Sequence, residues 1–98
     1  MIDAIVLDRS PVEREAAVAL LAVAADPVRW RLLAELAAAG TRCVCDLQPV
    51  GGVAPNVLSY HLKVLRDAGL VQARREGTWQ WYSVVEESLS SVQAFILR

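Results

Sequence analysis

The chain has 98 residues, 55% of them hydrophobic and 21% charged, with a net charge of −1 at pH 7. That length makes one domain with a modest core, and so much apolar surface predicts a homodimer in which a second copy buries the remainder. No apolar run reaches the roughly 20 residues a bilayer-spanning helix needs, and no leader pattern opens the chain, so the expectation is a cytoplasmic protein with reduced thiols.

Residues 1–10 carry no firm pattern and read as a mobile arm or a short strand-like lead, with Ser10 as cap and Pro11 as first helical residue. A helix over 11–25 follows. Its Ala and Val run around Leu20 and Leu21 is apolar on almost every side, as expected of a helix buried between subunits, and Val18 and Leu21 are assigned to that interface. Asp26-Pro27 opens a second helix, on which Trp30, Leu33, Leu36 and Ala37 recur at helical spacing before Gly40 ends it. Thr41 is placed as the cap of a short third helix over 42–48, after which Pro49, Gly51 and Gly52 break the chain into a turn. The fourth helix covers 55–68 and stops at Gly69. On a wheel of 100° per residue, Val57, Leu58, His61, Leu62, Val64 and Leu65 share one arc, while Asn56, Ser59, Tyr60, Lys63 and Asp67 take the other. Strands over 70–75 and 79–84 meet near Glu76-Gly77-Thr78 as a β-hairpin. A last helix over 86–98 sets Leu89, Val92, Phe95 and Ile96 on one stripe, the second half of the dimer interface.

The near-neutral total conceals an uneven distribution. Residues 54–75 hold Lys63, Arg66, Arg74 and Arg75 against Asp67 alone, a local charge of +3, while the rest is acidic. Charge by itself reads either as a phosphate-seeking stripe or as solvated charge on a helix face and a hairpin. Element order favours the first. Short helix, glycine-containing turn, amphipathic helix and basic hairpin form a winged helix-turn-helix, mainly α with a β-hairpin (α-α-α-α-β-β-α), over the single domain 1–98. The fourth helix would enter the major groove of double-stranded operator DNA. Pro55, Asn56, Ser59 and Tyr60 lie near its start, where side chains reach base edges, and Lys63, Arg74 and Arg75 would neutralise phosphates. Arg66, on the flank, reads equally as a phosphate contact or a solvated charge.

Both cysteines fall in Cys43-Val44-Cys45-Asp46-Leu47, directly before the turn and the fourth helix. Residues two apart diverge by about 200° on a regular α-helix, so one soft ion binds both only if the first turn frays or the helix unwinds. That distortion is a mechanical signal. A helix N-terminus, with Arg42 beside it, favours the thiolate, which is the form soft metals bind. The competing reading has two small cysteines packed as apolar residues. A disulfide at this spacing would close a small, strained ring and is not expected. Asp46 either supplies oxygen to an ion or only complements the helix dipole. His61 reads as a hydrogen-bonded core residue rather than a ligand. Trp79 and Trp81 share a strand face and read as cover for the core or the hairpin base, not as stacking platforms for bases.

Taken together, Cys43 to Leu47, the run Leu58-Ser59-Tyr60-His61-Leu62-Lys63-Val64-Leu65-Arg66-Asp67-Ala68-Gly69-Leu70-Val71, Arg74-Arg75-Glu76-Gly77 and Trp81-Tyr82 resemble the ArsR/SmtB metalloregulatory repressors. Ala25-Asp26-Pro27-Val28-Arg29-Trp30 resembles that family's second-helix entry, and the likeness covers about residues 20–85 without an internal gap. It implies a dimeric winged-helix repressor whose first and last helices form the interface, and which releases operator DNA when a toxic metal or metalloid binds. In the arsenic-sensing branch the ligands form a Cys-Val-Cys-Asp-Leu-Cys run. Cys43 and Cys45 match the first two, and Gln48 stands in the third position. The implied effector is As(III) or Sb(III), its third ligand coming from outside the motif as a solvent hydroxide or a small thiol; two thiolates alone suit Hg(II) or Cu(I). The zinc branch uses His and carboxylates on the last helix, which here has Glu86 and Glu87 but no histidine. Zinc and organic cofactors are therefore not expected.

The leading expectation is thus a metalloid-responsive repressor acting through Cys43 and Cys45. The alternative keeps the winged helix and makes the same cysteines sense oxidant, persulfide or another soft metal (Hg, Cd, Cu). A thiol oxidoreductase lacks its Cys-X-X-Cys beside a βαβ pattern and lacks a nearby general base, so no enzyme is expected. A helical dimerisation module without a DNA role is the remaining contrast, which steep salt-dependent retention on duplex DNA would exclude.

Overall fold

The computed structural model describes residues 11–96 as α1 (Pro11–Ala24), α2 (Pro27–Ala39), β1 (Arg42–Cys43), α3 (Val44–Gly51), α4 (Pro55–Asp67), β2 (Val71–Glu76), β3 (Trp79–Val84) and α5 (Glu86–Ile96). This is the expected winged helix-turn-helix with one added strand, β1. The assignments made to residues 1–10, including Ser10 as a cap, and to Leu97 and Arg98 lie outside the described residues, as do the side chains of Phe95 and Ile96.

Local chemistry explains the helix boundaries. Asp26 caps α2, its Oδ1 accepting from the backbone N–H of Val28 at 2.8 Å and of Arg29 at 3.1 Å, and Pro27 follows where its missing N–H costs nothing. The Arg29 backbone bond is the main reason the Asp26 carboxyl sits below its ordinary pKa. At the far end of α4, Gly69 takes φ +80°, a conformation that a Cβ would strain, and its N–H closes on the Arg66 carbonyl at 2.9 Å.

The core is built from leucines. Leu32 and Leu36 of α2, Leu47 of α3, and Leu58 and Leu65 of α4 are sealed from solvent, together with Leu70, Val71 and Tyr82 at the sheet. His61, 8% exposed, belongs to this buried side as expected. A guanidinium only donates, so in the contact of Arg29 Nη1 with His61 Nδ1 at 3.0 Å the ring nitrogen is the acceptor. Arg29 Nε also donates to the Val23 carbonyl at 2.7 Å. One side chain thereby links α4 to the α1–α2 junction.

Three expectations need correction. Pro49 and Gly51 do not break the chain, because α3 continues through both and ends at Gly52, which has φ 67° and donates to the Gln48 carbonyl. Proline's fixed φ suits a helix, and so late in α3 its missing N–H leaves only the Cys45 carbonyl without its usual partner. Gly51 is instead a close-packing position, since a Cβ there would meet Leu58 Cδ1 at 3.2 Å. Val57, assigned to the apolar arc, is exposed. The third correction concerns the sheet, which has three antiparallel strands in the order β1-β3-β2 rather than a lone hairpin. Arg42 and Ala73 lie opposite Tyr82, while Cys43 and Arg74 lie opposite Trp81. Tyr82 is buried and Trp79 is 53% exposed, so the core side belongs to Tyr82 and the tryptophans occupy the outer face, stacked with ring centroids 6.2 Å apart. No described helix is long and apolar enough to cross a membrane.

Leu47 pins α3, the shortest of the described helices, to this core. Leu47→Ala is expected to cost about 3 kcal/mol, read as a lower urea midpoint with an unchanged slope.

Candidate sensor site and nucleic-acid interface

Cys43 ends β1 and is also the N-cap of α3, with extended backbone angles of φ −81° and ψ 164°, while Cys45 lies in the first helical turn. The 200° divergence applies only when both residues are helical. The two Cα atoms lie 5.4 Å apart, the helical spacing set by Val44 between them, and the extended angles of Cys43 redirect its side chain so that the sulfurs are joined in a Cys43–Cys45 disulfide. The expectation of free thiols is overturned on that geometry. Thr41 is not the cap, and Cys43 caps without a side-chain hydrogen bond. Nor does Arg42 stand beside the sulfurs: neighbouring strand residues point to opposite faces, and its Nε pairs with Glu35 Oε2 of α2 at 3.2 Å.

Asp46 joins the pair. Its Oδ2 is 3.3 Å from the Cys43 sulfur, a hydrogen bond that only the reduced thiol can donate. One donor atom from each of Cys43, Cys45 and Asp46 lies within 4.8 Å of the others, so two soft sulfurs and one carboxylate oxygen fit a soft or borderline ion once the disulfide is opened. Gln48, in the place of a third cysteine, is otherwise engaged: its Nε2 donates to the Val53 carbonyl and braces the loop leading to α4. Sequence reading missed Arg31, whose Nη2 donates to the Gly51 carbonyl at 2.9 Å and whose Nε donates to Val50 at 3.3 Å, clasping the C-terminus of α3 from α2. Nothing in its local sequence marks that role. A cleft of about 600 Å³ opens on the sulfurs, lined by Cys43, Val44, Cys45, Gln48, Thr78, Trp79 and Gln80. Cys43 is only 4% exposed, whereas Cys45 is exposed.

The residues assigned to DNA are all exposed: Pro55, Asn56, Ser59, Tyr60 and Lys63 on α4, and Arg74 and Arg75 on β2. Lys63 Nζ lies 2.8 Å from Asp67 Oδ2, and this hydrogen bond is the main cause of the lowered Asp67 pKa. Arg74 and Arg75 leave opposite faces of the hairpin, opposite Trp81 and Gln80 respectively. On the far side of the molecule Val18 is 63% exposed and Leu21 is exposed, while Leu89 and Val92 are half-buried. An apolar groove of about 350 Å³ runs between them, walled by Leu21, Trp30, Leu33, Leu89 and Val92 among others.

Residues 26–73, which span α2 to the middle of β2, match the family described as "Bacterial regulatory protein, arsR family". The chain is also similar to the solved structure of the AntR antimony-specific transcriptional repressor, with 32% identity and a TM-score of 0.72 over 92% of this chain and 85% of that one. This chain belongs to the ArsR family. Among its ArsR relatives, the arsenical resistance operon repressor of Bacillus subtilis is 40% identical over 68 residues, which are 69% of this chain and 65% of that protein, just under two thirds of its length. The homodimeric winged helix-turn-helix DNA-binding domain Mb0332 from Mycobacterium bovis is 31% identical, with a TM-score of 0.71 over 92% of this chain and 81% of that one. The ArsR family and these relatives are transcriptional regulators, not enzymes.

The exposure difference predicts an order of reaction. After reduction with a phosphine, iodoacetamide is expected to label Cys45 before Cys43, followed by peptide mass spectrometry; simultaneous labelling would contradict the burial of Cys43.

Proposed function

We propose that this ArsR-family chain is a metalloid-responsive transcriptional repressor, binding operator DNA as a homodimer and releasing it when As(III) or Sb(III) binds at Cys43 and Cys45. The observation that carries this reading is the convergence of the Cys43 and Cys45 sulfurs and an Asp46 oxygen within 4.8 Å, at a residue shared by the wing sheet and the helix preceding α4. The relatives named as an arsenical resistance operon repressor and an antimony-specific repressor support the same ligand class. The exposed polar side of α4 would face the major groove, Lys63, Arg74 and Arg75 the phosphates, and the apolar α1–α5 face with Val18, Leu21, Leu89 and Val92 a second copy.

The disulfide must first be opened by a thiol reductant, which leaves as its own disulfide and yields two Cys–SH groups. As(OH)3 then exchanges two hydroxyls for the two sulfurs, each thiol proton leaving in a water molecule, and the third position keeps hydroxide or takes the Asp46 oxygen. Making room between the sulfurs turns Cys43 out of its extended geometry. That motion pulls on β1 against Trp81 and on the first turn of α3, so wing and recognition helix shift together. Moving the dimer from mostly bound to mostly free requires roughly 5 kcal/mol of preference for the released state, which two metal–thiolate bonds per subunit can supply.

The joined sulfurs favour one further reading, in which a peroxide takes two electrons from the thiols, giving the disulfide and two waters, and this oxidised form is the released state.

The deciding experiment uses reduced protein on DNA from upstream of its own gene, titrated separately with arsenite and peroxide. Wild type is expected to leave with arsenite, while Cys43→Ser and Cys45→Ser bind DNA equally well and stay bound; variants that still release with arsenite would place the sensor elsewhere. Release by peroxide but not arsenite would favour the redox reading. In the same assay Lys63→Ala should lower the slope of log K against log salt by about 0.9, the loss of one phosphate contact; an unchanged slope removes Lys63 from the interface.

A further inference from the structure

Resting on the reading of Cys43 and Cys45 as an arsenical site, we propose that Trp79 tunes this site toward trivalent arsenicals bearing one flat aromatic substituent. Two thiolates complete the coordination of an R–As(III) centre, whose third bond is already made to carbon. Arsenite needs a third donor, which must be a hydroxide or the Asp46 oxygen because Gln48 at the third motif position is bound to the Val53 carbonyl. The sulfur pair therefore matches a monosubstituted arsenical without recruiting any further ligand.

The surroundings say what the substituent should be. Cys43 lies directly opposite Trp81 in the β1–β3 pairing, so both side chains leave the outer face of the sheet, and Trp79 lies two residues further along that same face. The cleft of about 600 Å³ that opens on both sulfurs is closed on the wing side by Thr78, Trp79 and Gln80. Trp79 stacks on Trp81 yet remains 53% exposed, leaving ring surface for a second aromatic partner. A phenyl group projecting from arsenic into this cleft would meet an indole, whereas a methyl group would leave most of the cleft to water. The binding step is an exchange without redox change: PhAs(OH)2 loses two As–O bonds and gains two As–S bonds, the thiol protons leaving in two waters.

The test uses the full chain, reduced with a phosphine, and three probes: arsenite, methylarsonous acid and phenylarsine oxide. Binding is followed by native mass spectrometry and by quenching of tryptophan fluorescence. One phenylarsenic per chain is expected, bound more tightly than methylarsenic, with Trp79→Ala cutting the phenyl-to-methyl affinity ratio about two- to tenfold, the range of one aromatic contact. Arsenite affinity should not change in that variant, and Trp79→Phe should restore most of the ratio. An equal ratio in wild type and Trp79→Ala overturns the proposal while leaving the dithiol site standing. Failure of all three probes to bind the reduced chain overturns the site itself.

Discussion

The backbone of Cys43 is the constraint on which the rest of the site depends. Its extended angles let one residue finish a strand and cap a helix. A helical Cys43 would point its sulfur away from Cys45, and β1 would lose its pairing with Trp81. With Cys43 extended, a two-residue strand, an eight-residue helix and the wing hairpin share one junction. The sulfurs are thereby joined to the wing sheet and to α3 through covalent and hydrogen-bonded neighbours.

Around that junction, packing holds α3 in place while Cys45 and Asp46 of its first turn stay exposed. Leu47 is sealed in the core, Gly51 lies close against Leu58, and Arg31 clasps the terminal carbonyls. The N-terminal end has no side-chain cap, and Cys45 and Asp46 are exposed there. The two ends of one short helix are thus held differently, the C-terminal end by a side-chain clasp and the sulfur-bearing end by the β1–β3 pairing and the disulfide. α4 is attached differently, through buried Leu58, Leu62 and Leu65 and through the Arg29–His61 hydrogen bond. Its polar side remains free of the core, as a surface offered to another molecule must be.

The molecule also divides its surfaces by chemistry. The face made by α4 and the hairpin exposes hydrogen-bonding groups and cations, and the face made by α1, α2 and α5 exposes aliphatic and indole surface around an apolar groove. Water tolerates the first and disfavours the second, which suits DNA for one and a second copy of the chain for the other. Between them the stacked tryptophans form a third, smaller surface beside the cysteines.

Much of this was legible in the order of residues, because helices and their ends obey short-range rules. Asp26-Pro27 and Gly69 mark boundaries through their own backbone chemistry, and the buried side of α4, His61 included, follows from a 3.6-residue period. The Cys-Val-Cys-Asp-Leu run marked the place of the candidate site, whose Cys43, Cys45 and Asp46 lie together. Its shape was not legible. A two-residue strand has no period to detect, and β1 exists only because β3, distant in sequence, supplies its hydrogen-bonding partner. Which face of the hairpin met the core was equally hidden, since Tyr82 and the tryptophans are all large and aromatic, and only the packing of α2, α3 and α4 selected Tyr82. Arg31 gained its role in the same way. Side-chain type and local spacing set what each segment can be, while long-range pairing and close packing choose which of its groups meet.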